Sequence, residues 1–322
     1  GIKSKYTLGD FLCVDSRSKL TFNSFRMKFS DRPVDIADAT GVISHTVVTS
    51  ASDFSLTLNG QRFLVNTSLS NLPGWLFGLP VTLTGHSSIT TSGMYPERFI
   101  SNSRRKTSDL NPKTAIRFPE DINLETDFRI DTLQYKKFRA EKIRGRMSLQ
   151  PGKIIFSNLD LFSQGGEVSG DAQILDNSDK SVTSRGTFSF TGIDINKTFT
   201  TFNNFGQSFI KAGNLSGSLS GTLSLLLPTD SLLKVDVGSV TAEGRYVLTN
   251  GALIDFDPVK ELSSFIELSE LENIRFDRLE NDFFIRTNSL YIPQMDVRSS
   301  AVDLSVNGQH DFNNVFEYHV GV

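Results

Sequence analysis

The sequence predicts a mostly β protein made of meandering antiparallel hairpins with two or so short helices. Apolar residues recur at every second position through most of the chain, and polar residues fill the positions between them. A strand with this alternation has one dry face and one wet face. Dipeptides that favour tight turns separate the alternating runs, and they lie at Asn59-Gly60, Pro151-Gly152, Asn250-Gly251 and Asn307-Gly308.

The composition narrows the function classes. The chain has 322 residues, of which 38% are apolar, enough for a substantial core. Its formal net charge is only −3, so no overall field favours nucleic acid as a partner. Cys13 is the single cysteine, which excludes an internal disulfide and a multi-cysteine zinc site. No apolar run approaches the roughly 20 residues that a membrane-spanning helix needs.

The alternation is clearest after residue 115, where each strand keeps its apolar residues at positions of one parity. In the first strands these residues are Ile122, Leu124, Phe128 and Ile130; Ile143, Gly145, Met147 and Leu149; and Val168, Gly170, Ala172 and Ile174. In later strands they are Leu215, Leu219, Leu223, Leu225 and Leu227; Ala242, Tyr246 and Leu248; and Val302, Leu304 and Val306. We expect each set to lie on one dry face of a sheet.

Helical spacing interrupts this pattern in two places. Asn196 is predicted to cap a helix whose phenylalanines recur at helical intervals, at Phe199, Phe202, Phe205 and Phe209. Asp257 is predicted to cap a second helix, which begins at Pro258 and carries the apolar residues Val259, Leu262, Phe265 and Ile266. Each helix would cover one end or edge of a sheet.

The chain is predicted to have two regions joined by a flexible basic loop. The loop spans residues 101–114, where Arg104, Arg105 and Lys106 lie among polar residues without apolar periodicity. It separates an N-terminal β region, residues 1–100, from a more regular β region, residues 115–322. The last residues alternate like a strand that meets no turn, so we expect a segment of a longer protein, truncated at both ends.

A unit of roughly 35 residues occurs twice in the second region. One copy begins at Phe138 and the other at Phe276, and each has three alternating runs. One sequence pattern in this region consists of Gly152, Leu159, Leu161, Gly165, Gly166 and Gly170. A second is carried by Gly244, Tyr246, Leu248, Asn250, Gly251, Leu253, Ile274, Phe276, Leu279, Phe283, Ile285, Leu290 and Gly308. Over residues 120–322 these two sequence patterns resemble the C-terminal region of AsmA-like proteins, a bacterial envelope family related to TamB.

The resemblance implies a function that composition alone does not. AsmA-like proteins are anchored in the inner membrane, extend through the periplasm and contain an elongated, curved antiparallel sheet that forms an open apolar groove. They take part in phospholipid transport between the bacterial inner and outer membranes and in outer-membrane biogenesis. We therefore expect a periplasmic, non-enzymatic segment that binds acyl lipid, needs no cofactor, and meets the two membranes or an envelope protein partner through missing segments.

The predicted lipid-binding residues line the groove and act collectively. They are Ile122, Leu124, Phe128, Ile143, Met147, Val168, Leu219, Leu223, Phe283, Ile285, Val302 and Leu304. Such a surface would stabilise an acyl chain by about 0.8 kcal/mol for each methylene removed from water. The phenylalanines at 199, 202, 205 and 209 are a candidate gate, with a core role as the alternative. The basic residues Lys142, Arg144 and Arg146 share the opposite strand face, as a solvated surface or a headgroup contact.

The sequence contains no convincing catalytic or metal-binding motif. The four histidines, at 45, 86, 310 and 319, lack the spacing of paired metal ligands. Asp176, Ser178 and Asp179 lack the glycine and glutamate of a calcium loop. The apolar segment from Asn71 to Phe77, which holds the only Trp, either packs on the sheet or contacts a membrane interface or a partner.

Two other functions stay open at this level. A non-catalytic scaffold that assists outer-membrane protein assembly would bind partner strands at open sheet edges. An adhesin-like β-solenoid would have a closed, filled interior, and the Gly- and Ser-rich strand near Leu215 to Leu223 favours it. A lipid-binding groove instead requires an accessible surface lined continuously by apolar side chains.

Overall fold

The computed structural model describes most of the chain, and the predicted mostly β fold of antiparallel strands with short helices is confirmed. The described residues are 18–22, 27–28, 35–45, 48–100, 118–177, 181–206, 210–230, 235–256, 272–300, 303–311 and 315–321. Four predictions lie outside them: the basic loop at 101–114, the second helix from Asp257 to Ile266, and the sites Phe209 and Val302.

The chain forms two compact units, which we describe separately. Unit 1 comprises residues 1–135 and 142–157, and unit 2 comprises residues 136–141 and 158–322. The division runs through one hairpin, so its two strands contribute residues to both units.

Unit 1 is a sheet in which one pair of strands is parallel. Its strands are β1 (Ser18–Phe22), β2 (Met27–Lys28), β3 (Asp35–His45), β4 (Val48–Leu58), β5 (Gln61–Ser70), β6 (Leu83–Thr91) and β7 (Ile122–Tyr135), and it shares β8 (Phe138–Gln150) and β9 (Lys153–Ser163) with unit 2. Strands β1 and β2 pair antiparallel with β3, and β3 to β6 follow one another antiparallel. Strands β6 and β7 run parallel. The connections contain two short helices, α1 (Leu72–Leu76) and α2 (Glu97–Ile100).

Unit 2 is a meander in which each strand pairs antiparallel with the next. Its further strands are β10 (Gly166–Asp176), β11 (Val182–Asp194), β12 (Leu215–Thr229), β13 (Thr241–Ile254), β14 (Asn273–Arg286), β15 (Ser289–Val297), β16 (Leu304–Asp311) and β17 (Phe316–Gly321). One helix, α3 (Ile195–Thr201), follows β11. The two sequence repeats correspond to β8–β10 and β14–β16, so each repeat supplies three consecutive strands.

Two of the four predicted turns are confirmed and two are wrong. Asn59-Gly60 joins β4 to β5, and Pro151-Gly152 joins β8 to β9. Asn250-Gly251 instead lies inside β13, and Asn307-Gly308 lies inside β16. These two glycines serve a different need, because an aromatic ring from the neighbouring strand lies against each of them, Phe276 at Gly251 and Tyr318 at Gly308.

The predicted cap of the first helix is also wrong. Helix α3 is capped by Asp194, whose Oδ1 accepts a hydrogen bond of 3.0 Å from the backbone N–H of Lys197. Asn196 lies within the helix, and its side-chain amide donates to the carbonyl of Ala212 at 2.6 Å. The helix ends at Thr201, because the backbone then enters a left-handed turn from Asn203 to Gly206.

The main hydrophobic cluster of unit 2 lies where α3 packs on the sheet. Its buried members are Ile195, Leu215, Leu248 and Phe276, and the partly buried residues packed against it are Phe199, Ile210, Leu219, Leu253 and Leu279. Fully burying one such side chain contributes about 1.5–3 kcal/mol. This cluster therefore fixes α3 over one end of β12 and β13.

Candidate functional site

The strand registers of unit 2 place apolar residues from consecutive strands on one face. Residues directly opposite each other in antiparallel strands point to the same side of a sheet. One row across the strands contains Ala172, Gly186, Leu225, Ala242, Ile285, Leu290 and His310. The next rows contain Gly170, Phe188, Leu223, Gly244 and Phe283, and Val168, Phe190, Gly221 and Tyr246. We call this surface the apolar face of unit 2.

The structure thus brings together the predicted lipid-binding residues that belong to this unit. Val168, Leu223, Phe283 and Ile285 lie on the apolar face, whereas Leu219 packs against the hydrophobic cluster beneath α3. They are partly buried rather than fully enclosed. Leu304 is buried opposite Val297, at the far strands of the same unit. An apolar surface left half open in this way can still remove a ligand from water.

Two aromatic residues on this surface are not among the predicted lipid-binding residues. Phe188 and Phe190 of β11 share the face with Leu223 and with Val168. The sequence does indicate that both residues lie on one face, since Phe188 and Phe190 alternate with serine and threonine in the same strand. These rings belong in the candidate site because they lie in its second and third rows.

Glycines make room for the aromatic rings. A Cβ built at Gly186 would lie 2.7 Å from Cε2 and Cζ of Phe188, and one at Gly244 would lie 2.7 Å from Cε1 of Phe283. A Cβ at Gly221 would lie 3.0 Å from Cζ of Phe190. The rings therefore occupy the space that a side chain would need at the neighbouring glycines. A larger residue at any of these glycines would collide with a ring.

The polar groups on the apolar face stay neutral at physiological pH. The hydroxyl of Tyr246 lies 3.6 Å from Sδ of Met295, and burial raises the pKa of Tyr246 to about 12. Burial also raises the pKa of Tyr318 and lowers the pKa of His310. Neutral phenol and imidazole groups leave this part of the face without a charge that would repel an apolar ligand.

Charges lie on the opposite side of the same strands. Arg245 on β13 donates to both carboxylate oxygens of Asp282 on β14, at 2.7 and 3.2 Å. This hydrogen bonding lowers the pKa of the Asp282 carboxyl. Arg245 and Asp282 alternate with Tyr246 and Phe283, so each strand has a charged side and an apolar side.

Unit 1 carries its share of the predicted residues on a less uniform face. The parallel register sets Ile122, Leu124 and Phe128 beside Leu83, Gly85 and Ile89. Between them runs a row of hydroxyl-bearing residues, which are Thr67, Ser87 and Thr126. The hydroxyls of the first two lie 2.7 Å apart. This polar row interrupts the apolar surface of unit 1.

The predicted basic residues lie on the outer side of β8. Lys142, Arg144 and Arg146 are exposed, whereas Ile143 is buried and Met147 is partly buried. Nε of Arg146 donates to Oδ1 of Asp127 at 2.8 Å, and this bond holds the pKa of Asp127 below its usual value. The ion pair occupies Arg146, which weakens the case for this residue as a headgroup contact.

The candidate gate is divided between two environments. Phe199 packs on the hydrophobic cluster beneath α3. Phe202 and Phe205 are exposed, by 46% and 53%, and their rings stack with centroids 5.6 Å apart. The core alternative therefore applies to Phe199 and not to the other two.

The tryptophan segment folds as the short helix α1. Nε1 of Trp75 donates to Oδ2 of Asp121 at 2.7 Å, which ties the helix to the segment before β7. Leu76 and Phe77 beside it are exposed, by 65% and 60%. The segment therefore combines a tethered Trp with two exposed apolar side chains.

Across the part of the chain that the structure describes, no group of three or more His, Cys, Asp or Glu side chains could hold a metal ion. The helices in that part are all too short or too polar to cross a membrane. Comparison with known proteins finds no matching family model, no matching curated protein and no matching solved structure.

Proposed function

We propose that this chain is a non-enzymatic lipid-binding segment of an AsmA-like protein, which holds phospholipid acyl chains on the apolar face of unit 2. The single observation that carries the proposal is the run of apolar rows across β10–β14, which is partly open although it belongs to a sheet. Soluble proteins rarely expose large contiguous apolar surfaces, and such surfaces commonly mark binding sites. Each methylene that an acyl chain buries there contributes about 0.8 kcal/mol.

The sequence resemblance supports a periplasmic location for the proposed segment. In AsmA-like proteins such a segment lies in the periplasm, anchored to the inner membrane, and serves lipid transport and outer-membrane biogenesis. Helix α3 covers one end of the face through Ile195 and Phe199, so acyl chains would occupy the rows beyond it. The proposed partners are therefore phospholipid along the face and the two membranes at its ends.

Lipid occupancy is the measurement that tests the proposal. The gently purified protein is examined by native mass spectrometry, and adhering lipid is extracted and identified. We expect phospholipid at near-stoichiometric level. A clean protein that also fails to take up a fluorescent phospholipid would contradict the proposal.

One pair of neighbouring leucines gives a matched test. Leu225 lies on the apolar face, whereas Leu226 is 36% exposed and points to the other side of β12. Leu225→Glu places a carboxylate among apolar rows and should reduce lipid occupancy at least tenfold, since a lone charge in such a place is costly. Leu226→Glu adds the same charge to the same strand and should leave lipid occupancy unchanged.

A scaffold that binds a strand of an envelope partner is the second candidate function. Strand β17 is the last described strand of unit 2, and it pairs antiparallel with β16. An edge strand presents backbone groups that a partner strand can pair with. A protein that carries no lipid but captures a strand-forming peptide from an envelope partner would support this scaffold role.

A further inference from the structure

The end of unit 2 beside α3 carries an exposed cluster of aromatic side chains. Phe202 and Phe205 stack on each other, and the ring of Phe138 lies 6.1 Å from that of Phe202. The rings of Phe199 and Phe205 meet edge to face at 5.2 Å. We call Phe138, Phe202 and Phe205 the aromatic tip.

The backbone holds the aromatic tip outward at an energetic cost. Asn203, Asn204 and Phe205 have φ angles of 52°, 51° and 55°, followed by Gly206 at 77°. Left-handed backbone is tolerable for asparagine and glycine but is a marked outlier for phenylalanine. Strain of this kind costs about 1–3 kcal/mol per residue and persists only where the surrounding structure holds the backbone in place.

Several hydrogen bonds fix the turn in place. Oδ1 of Asn204 accepts from the backbone N–H of Ala212 at 2.9 Å, and the backbone N–H of Phe205 donates to the carbonyl of Phe202 at 3.0 Å. The hydroxyl of Thr201 bonds Oε1 of Gln164 at 3.1 Å. These hydrogen bonds hold the turn that carries Phe202 and Phe205 in one conformation.

Exposed lysines lie close in sequence to the residues of the aromatic tip. Lys136 and Lys137 immediately precede Phe138 and are exposed, and exposed Lys211 adjoins Ala212, which the turn binds. Lys197 on α3 is exposed as well and lies 3.6 Å from Asp194. Aromatic side chains with a cationic rim match the chemistry of an anionic bilayer surface, where rings enter the interface and lysines meet headgroups.

We propose that the aromatic tip and its lysines dock unit 2 onto an anionic membrane surface. Phe202 and Phe205 enter the interface, and Lys137 and Lys211 contact the anionic headgroups. This docking goes beyond lipid binding by the apolar face, and it requires no lipid on that face. A peptide partner is the main alternative occupant, and an apolar peptide would not require anionic lipid.

Co-flotation with vesicles tests the docking. The purified chain is mixed with vesicles of phosphatidylcholine alone, or of equal parts phosphatidylcholine and phosphatidylglycerol. We expect flotation with the anionic vesicles and several-fold less with the neutral ones. High salt should reduce the anionic binding, because it screens exposed charges. Equal flotation with both vesicles, or with neither, would overturn the docking proposal.

Variants assign the binding to the tip. Phe202→Ser with Phe205→Ser should lower vesicle affinity by about tenfold for each ring, given that each is half exposed beforehand. Tyr291→Ser with Val315→Ser is the matched control, since both side chains are exposed elsewhere in unit 2, and it should float like the wild type. Vesicle binding by the tip variant at wild-type level would overturn the assignment.

A second variant keeps the phenylalanines, so it tests the docking even if the phenylalanine variant fails to fold. It also distinguishes membrane docking from lipid binding by the apolar face. Lys137→Glu with Lys211→Glu leaves the rings in place and should lower affinity for anionic vesicles by about fivefold per lysine or more, without changing the neutral case. Wild-type binding by this charge variant would also overturn the docking. Lipid occupancy measured by native mass spectrometry should not change in the Lys137→Glu, Lys211→Glu variant, so failure of docking and failure of lipid binding give different results.

Discussion

Adding one methyl group at Gly186 should destabilise unit 2, because the ring of Phe188 occupies the space that the methyl group needs. A Cβ at Gly186 would lie 2.7 Å from two atoms of that ring and 3.0 Å from the carbonyl oxygen of Asp171. Overpacking of this kind costs about 1–3 kcal/mol. The change to alanine also reduces the entropy of the unfolded chain, which offsets about 0.4–1 kcal/mol. We therefore expect a net loss of roughly 1–2 kcal/mol.

Gly238→Ala provides the matched control for this prediction. A Cβ at Gly238 would meet its nearest neighbour, Oδ1 of Asp236, at an ordinary 3.6 Å. The control should therefore be neutral or slightly stabilising, because only the unfolded-state effect remains. The readout is hydrogen exchange in increasing urea, followed on peptides from β10 and β11, which reports on this unit rather than on the whole chain.

The ring can be tested as the cause by a double-mutant cycle. Phe188→Leu shortens the side chain, so Gly186→Ala should cost less in that background than in the wild type. A coupling of about 1 kcal/mol is expected between the two positions. If Gly186→Ala behaves like Gly238→Ala, or if its cost is the same in the Phe188→Leu background as with the native ring, the ring-over-glycine explanation is refuted.

Three further predictions follow from individual groups. Burial lowers the pKa of His310 from its ordinary value of 6.5, so the neutral imidazole stabilises the fold above pH 6.5. This contribution is lost as the pH falls through the lower folded pKa, so His310→Gln should make the urea midpoint less dependent on pH below 6.5. Asp194→Ala removes the cap of α3 and should cost about 1 kcal/mol, seen as faster exchange in the helix. Trp75→Phe removes the bond to Asp121 and should cost roughly 1 kcal/mol, measured by chemical denaturation.

Much of the strand pattern could be predicted because alternation is a local property of the chain. Ile143 is buried and Lys142 and Arg144 are exposed, as their parity requires. The membership of Val168 and Leu223 in one face needed only that parity and consecutive antiparallel pairing. Local information was sufficient wherever neighbours in sequence are also neighbours in the sheet.

The errors arose where the deciding contact comes from another strand. Asn250-Gly251 has the composition of a turn, but the ring of Phe276 lies against Gly251, and nothing near residue 250 in the sequence reveals that ring. The parallel pairing of β6 with β7 likewise depends on residues separated by a long connection. Asp194, not the predicted Asn196, caps the helix. The side chain of Asn196 donates to the carbonyl of Ala212, a residue that is distant in the sequence.

Charged and apolar side chains are separated by parity, so substitutions on the proposed binding face should leave the fold intact. Arg245 and Asp282 pair on one side of β13 and β14, while Tyr246 and Phe283 lie on the other. The backbone ladder and the outer ion pairs do not depend on what covers the apolar side. A change such as Leu225→Glu should therefore alter ligand binding more than folding, whereas changes at Leu248 or Phe276, beneath α3, should unfold that end of the unit. The contrast between Leu225 on one hand and Leu248 and Phe276 on the other distinguishes a binding surface from a core.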